Sequence, residues 1–347
     1  MARVSPILRA LSRVVRRDVS TFGPAGFNNF FFFIALMLWA AAQSGVEPKS
    51  SYPLLLFVLV VLLFPLSADP LDKVPPSRLD LWPITTRQRI ELRVVSILLS
   101  PVLWIAAGLI FFKRIRPAIA IAFLTALIGV QVIATAGRSL MARVPRGRLL
   151  KIVPEFPGRL GGLVRHHMRQ QFQVLDIYIA MIFSLGACAY RGFAPSPEPE
   201  AFPILAMLVA LALSTYSQCL FGLDRASSAM TRYRLLPLHG WEVLLAKDLA
   251  FLGMLSLLVL PLDPLPGLTF GLFALGVGHH AAVFDKMTLR RWRFAGGRVF
   301  IGVVQCVGGF MLGVAVHRVN PAFVVSSVVI WAGSLVIYGS ALGRKAA

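Results

Sequence analysis

The sequence predicts an all-α, polytopic integral membrane helical bundle of about ten spans, and three observations carry that expectation: composition, the spacing of apolar runs and the placement of positive charge. Hydrophobic residues make up 57% of the 347 positions and charged residues 14%, where a soluble domain has roughly half and a quarter. A net charge of +20 on a soluble chain would suggest nucleic acid. On a chain this apolar it points instead to the positive-inside rule, with no nucleic-acid partner.

Ten apolar runs approach the roughly 20 residues that cross a bilayer. They lie near residues 27–44, 52–68, 91–112, 117–136, 174–190, 201–221, 241–262, 264–283, 299–316 and 321–341. With the N-terminus inside, the inner segments hold 27 of the 35 Lys and Arg. Outer loops hold Lys49, Lys113, Arg114, Arg116, Arg191 and Arg318, while Arg93 and Lys247 stand at span starts. The opposite orientation would place most of the charge outside. The expectation is a multi-pass protein of the cytoplasmic (inner) membrane with both termini cytoplasmic. The Lys113–Arg116 cluster allows the third and fourth spans to be shifted or partly re-entrant.

In chain order, residues 1–24 form an interfacial segment. Val4, Ile7, Leu8, Leu11, Val14, Val15 and Val19 recur at helical spacing, and Arg9, Arg13, Arg16 and Arg17 fill the rest of the wheel. Such a helix lays its apolar face in the headgroup boundary and turns Arg to anionic membrane lipid. Residues 25–136 make a first four-span unit and 174–283 a second. Between them, the loop 137–173 carries eight basic residues and one acid, Glu155. Leu160, Leu163, Val164, Met168 and Phe172 give its latter part a second amphipathic helix. A basic loop, 284–298, precedes two final spans within 299–347.

Each unit contains one polar elbow, Asp69–Arg93 and Phe221–Asp248. Setting Pro83 on Pro237 also pairs Arg78 with Arg232, Leu81 with Leu235, Ile84 with Leu238 and Arg93 with Lys247. Both read as a polar loop, an Arg, a Leu-x-Pro-apolar turn and a helix start of mixed charge. Proline after a short apolar step suits the first turn of a helix, where its missing N–H costs nothing. The order of amphipathic helix, two spans, elbow and two spans occurs twice, an internal repeat of the kind transporters use.

Local chemistry is sparse. Cys188, Cys219 and Cys306 are single within apolar runs and read as packing. Gly267-xxx-Gly271 and Gly309-xxx-Gly313 are spacings that let membrane helices approach closely. None of the fifteen acidic residues falls at the centre of a predicted span; Glu91, Asp176 and Asp248 come nearest. That distribution argues against a carrier driven by protons or sodium. Gln131, Ser217, Gln218 and Gln305 read as interhelical hydrogen-bond formers. The pairs His166–His167 and His279–His280 lack a carboxylate at i+3 or i+4, and Asp285 is badly spaced, so no metal ligand set is expected. A GxxxxGK[ST] phosphate loop is absent. The chain is therefore expected to be no enzyme and to hold no cofactor of its own.

Phe221-Gly222-x-Asp224, the run Arg232–Trp241 (RYRLLPLHGW) and Leu244-Leu245-Ala246-Lys247 together resemble the membrane-spanning permease subunits of type-2 ABC exporters. Leu81–Arg87 (LWPITTR) is similar to the same element. The segment from Gly278-His279-His280 to Asp285 resembles a family segment that more often carries Asn and Ser. The resemblance spans about residues 1–290. It implies a permease that works with a separate ABC ATPase subunit, which would bind ATP and Mg. It also implies that the elbows dock on that subunit through Arg78, Pro83, Arg87, Asp224, Arg232, Arg234, Pro237, Glu242 and Lys247. A homodimer is compatible with it. Two other classes stay open: a membrane-embedded enzyme whose histidines and arginines act on an anionic lipid, and a membrane scaffold without turnover.

Overall fold

The computed structural model describes residues 156–193, 196–226, 230–235, 237–285, 287–289, 291 and 294–344, with single positions at Arg9, Ala10, Ser12, Arg13, Asn29 and Gln88. The chain divides into two compact units. One comprises Met1–Pro24 and Met37–Arg146, the other Ala25–Leu36 and Gly147–Ala347. Apart from Asn29 and Gln88, the first repeat with its elbow, and with them the comparison of the two repeats, lie outside the described residues. In the first unit, Arg9 and Arg13 are exposed positions on helix.

In the second unit, helices run α1 (Gly161–Gln171), α2 (Leu175–Phe193), α3 (Ala201–Gln218), α4 (Gly222–Ala226), α5 (Met230–Leu235), α6 (Gly240–Val259), α7 (Pro264–Phe284), α8 (Val299–Arg318) and α9 (Val324–Arg344), with a 3-10 turn at Pro321–Phe323. No strand occurs among the described residues. Each of the last six predicted apolar runs coincides with one helix, and the amphipathic stretch of the 137–173 loop becomes α1. Four helices, α3, α7, α8 and the turn-plus-α9 segment, are long and apolar enough to cross a membrane. A fifth arises if α1 and α2, bent by 82° at their junction, form one broken span. Helix α6 is of spanning length, yet it carries Glu242, Lys247 and Asp248.

The helix ends follow local chemistry. Pro264 opens α7 at its first turn, where no N–H is needed. Glu242 reaches back so that its Oε2 accepts the His239 N–H at 2.7 Å, which satisfies a donor at the start of α6. Asn320 accepts the Ala322 N–H at 2.8 Å and starts the turn into α9.

Helix α7 is the centre of the unit, packed by α3, α6, α8 and α9. Within the apolar windows 78% of α3 and 72% of α7 is buried, against 17% for the last segment. The glycine pairs explain the close approach. A Cβ on Gly271 would stand 2.1 Å from Leu255 Cδ2 of α6, and one on Gly313 would stand 2.4 Å from Met207 Sδ of α3. The small-xxx-small spacing is therefore a packing device. The three cysteines are free, with Cys219 and Cys306 buried.

Polar residues inside the bundle bond across helices. Gln305 of α8 accepts from Gln218 at 2.7 Å and from Asn29 at 3.0 Å, and donates to Ser217 at 2.8 Å and the Ala274 carbonyl at 2.7 Å. The Asn29 backbone N–H donates to Thr215 at 2.8 Å. Asn29, the described residue of the first predicted span, thus lies against α3 and α8. Gln131 lies outside the described residues. Asp176, at the start of α2, accepts the Ala295 N–H at 2.8 Å and anchors the segment that leads into α8.

Candidate functional site

The second elbow folds around one carboxylate. After α3 the chain turns at Cys219–Phe221 into α4. There Gly222 leaves room for Leu289, whose Cβ would lie 2.7 Å from a Cβ on Gly222. The Leu289 N–H donates to the Gly222 carbonyl at 3.0 Å. This placement points Asp224 into the bundle, where it is fully buried. Its Oδ2 lies 2.6 Å from Lys247 Nζ of α6, and its Oδ1 accepts from Gln170 Nε2 of α1 at 2.6 Å. Tyr233 of α5 adds a side-chain hydrogen bond. The Lys247 ammonium also donates to the Leu220 carbonyl at 2.8 Å and stands 4.8 Å from the centre of the Phe221 ring. One carboxylate therefore joins α1, α4, α5 and α6.

A charged pair removed from water must be fully hydrogen-bonded to persist, and this one is. Burial opposes ionisation of Asp224, but the adjoining Lys247 charge and the hydrogen bonds from Lys247 and Gln170 hold its carboxyl below the ordinary carboxylate range. Burial pushes the Tyr233 hydroxyl up, with the Asp224 charge adding to the shift. Beside the pair, His167 faces Gln170 Oε1 through Nδ1 at 3.0 Å. Burial, then the Lys247 charge, keeps this imidazole well below its usual value. Its Nε2 has no hydrogen-bond partner among the described residues.

Two further contacts stiffen the elbow. Arg159 pairs with Glu242 at 3.6 Å and donates to the Pro237 carbonyl, tying the approach of α1 to the start of α6. Arg225 Nη2 donates to the Ala282 and Val283 carbonyls at 2.7 and 3.2 Å, supplying positive charge where the α7 dipole ends negative.

Of the residues expected at the elbows, Asp224 and Lys247 come together in the interior and present no charge at the surface. Glu242 is 8% exposed. Pro237 is exposed and stands outside the first turn of α6, two residues before the His239 cap, because the Glu242 side chain and not a proline closes that end, and Arg232 and Arg234 lie on α5. Arg78, Pro83, Arg87, Arg16 and Arg17 lie outside the described residues.

A second buried constellation escaped the sequence reading because its members lie far apart in the chain. His279 Nε2 of α7 is 3.0 Å from Asp248 Oδ1 of α6, and His279 Nδ1 is 2.7 Å from Ser334 Oγ of α9. Trp331 Nε1 donates to Asp248 Oδ2 at 2.8 Å. A search along one helix for i+3 or i+4 partners of His279 could not find Asp248, which approaches from a neighbour. The serine sits in mid-helix, where surrounding backbone N–H groups serve the helix's own carbonyls, so α9 offers no backbone donors for an acyl-transfer oxyanion.

At the far end of the bundle, Glu200 pairs with Arg318 at 2.7 Å, and His317 lies 3.3 Å from Glu200 and 3.4 Å from Asp263. An open cleft of about 400 Å³ borders this clasp, lined in part by Arg191, Phe202, Asp263 and His317. Among the described residues, no group of three or more His, Cys, Asp or Glu is placed to hold a metal ion. No family model, curated protein or solved structure matches the chain.

Proposed function

We propose that the chain is the membrane-spanning permease subunit of a type-2 ABC exporter, working with a separate subunit that binds Mg and hydrolyses ATP. The observation that carries this reading is the Asp224–Lys247 pair at 2.6 Å inside the second elbow. Coupling demands that a push on a short inner loop reach the spans without passing through a soft joint. Here the elbow's carboxylate is bound to α6 and to α1, while Arg225 of the same short helix holds the end of α7. The elbow also keeps a surface for a partner: Thr231, Pro237 and His239 are exposed, and Arg232 and Arg234 stand in the same stretch. In this reading the elbow faces the cytoplasm, as the distribution of Lys and Arg favours, in the inner membrane of a bacterium.

The test is a mild-detergent purification of the tagged full chain with mass spectrometry and an ATPase assay on the eluate. A nucleotide-binding subunit should co-purify and should be lost from the double variant Arg232→Glu/Arg234→Glu while membrane insertion persists. A chain that purifies without ATPase would overturn the proposal. Replacing His166, His167, His279 and His280 would then separate an enzyme, which should lose turnover, from a scaffold.

A further inference from the structure

From the contacts of His279 we infer that Asp248, His279 and Ser334 form a proton-binding site in the interior of the bundle, at the meeting of α6, α7 and α9. Its ligand is a single proton, held by the imidazole. The inference does not rest on the permease reading.

The argument begins with hydrogen-bond roles. Ionised Asp248 only accepts. It is 0% exposed, and its two oxygens face His279 Nε2 at 3.0 Å and Trp331 Nε1 at 2.8 Å. The indole N–H donates to Oδ2, and while Asp248 is ionised its Oδ1 bonds His279 only if Nε2 also carries hydrogen. That leaves Nδ1 as the variable atom. It faces Ser334 Oγ at 2.7 Å, and the same Oγ lies 2.8 Å from the Trp331 carbonyl.

A hydroxyl has one hydrogen, and here it has two acceptors within reach. With His279 neutral, Ser334 donates to Nδ1. With His279 charged, Nδ1–H donates to Oγ, and the hydroxyl turns its hydrogen to the Trp331 carbonyl. Every polar atom in the set is bonded in both states. A buried polar group left unbonded is costly, so most buried histidines are committed to one protonation state by their partners. The rotating hydroxyl removes that commitment. Proton uptake also converts a buried carboxylate beside a neutral ring into a neutral ion pair, and intramembrane ionisable groups that pair in this way commonly serve proton traffic.

The other titratable groups on the surrounding helices are engaged elsewhere or neutral. On α6, Lys247 is turned to Asp224. On α7 and α9, the His280 ring packs against Tyr338, their centres 5.7 Å apart. Just beyond α3, Cys219 donates to the Gly296 carbonyl at 2.9 Å, while α3 brings the Tyr216 hydroxyl and α8 brings Cys306. Asp285, beyond the end of α7, pairs with Arg298 at 2.6 Å. Lys247 attracts Asp248 at longer range, but its ammonium is bonded to Asp224, so among the described residues the His279 ring is the basic group in direct contact with Asp248.

The experiment is a pH titration of the full chain, 15N-labelled at histidine and held in lipid nanodiscs, followed through its imidazole nitrogens by NMR. His279 is assigned by loss of its signals in His279→Asn, or by the shift that Ser334→Ala imposes if that variant does not fold. The expected result is that His279 passes between a neutral Nε2–H tautomer and a doubly protonated ring within the pH range where the protein stays folded. Asp248→Asn should weaken proton binding by about tenfold or more, since it removes the partner charge. A ring that keeps one protonation state across that whole range, neutral or charged, would overturn the proposal, as would the Nδ1–H tautomer. None of these outcomes depends on an ATPase, so failure here leaves the permease reading standing, and the converse holds.

Discussion

The Lys247 ammonium lies 2.6 Å from the Asp224 carboxylate, with the two side chains 2% and 0% exposed. The residues are 23 positions apart, at opposite ends of the polar elbow, and their contact closes that elbow into a rigid loop on α6.

Breaking this pair should be costly, because removing one partner leaves the other charge buried and uncompensated. Asp224→Asn or Lys247→Met is expected to destabilise the fold by about 3–5 kcal/mol, and an apolar replacement of both by much less. Thermal unfolding in detergent, read by intrinsic fluorescence, checks it. Single variants as stable as the wild type would show that the pair is not closed in solution.

Acid should loosen the same region in two stages. Burial and Lys247 depress the His167 value. As pH falls below the ordinary imidazole range, the unfolded chain therefore takes up a proton that the folded one refuses, and stability drops. The depressed value of Asp224 gives stability that is present above the ordinary carboxylate range and is lost as pH falls through the folded value. His167→Asn should remove the upper stage alone. The stability gap between wild type and Asp224→Asn should close as the lower stage is crossed.

Gln305 holds the bundle interior through four hydrogen bonds. Gln305→Leu keeps much of the volume but strips partners from Gln218, Asn29 and Ser217. Each buried group left unbonded costs about 1–3 kcal/mol, so the midpoint of unfolding should fall steeply. A small change would mean that the amides find other partners.

Gly278 is the point where α7 crosses α3. A Cβ there would stand 2.3 Å from Ser217 Oγ and 3.0 Å from the Ser217 carbonyl carbon, and backbone cannot yield as a side-chain tip can. Gly278→Ala should cost about 1–3 kcal/mol through overpacking. Gly253, where the nearest atom to such a Cβ is the Met168 methyl at 3.6 Å, is the control and should tolerate alanine.

Much of the described architecture could be read in one dimension. The six apolar runs from residue 174 onward each became a helix, since an apolar stretch of spanning length leaves its backbone few ways to hydrogen-bond except to itself. The amphipathic spacing before residue 172 became α1. The small-xxx-small pairs marked helix contacts, and Ser217, Gln218 and Gln305 marked hydrogen bonds across them. The elbow is legible as a polar segment between apolar runs that carries an F-G-x-D motif and a lysine.

What the chain order could not express was which way the charges face. Asp224 and Lys247 read as surface groups because charge ordinarily seeks water. They are interior because each finds the other, and because Gln170, Leu220 and Tyr233 satisfy what remains. His279 looked isolated because its carboxylate and hydroxyl belong to α6 and α9, at positions 31 before it and 55 after it. Composition, periodicity and charge determined by themselves that this protein is a helical bundle with spans of bilayer length. Only the tertiary structure decided its two buried polar centres, since desolvation makes a buried charge depend on neighbours that packing, and not sequence distance, brings within reach.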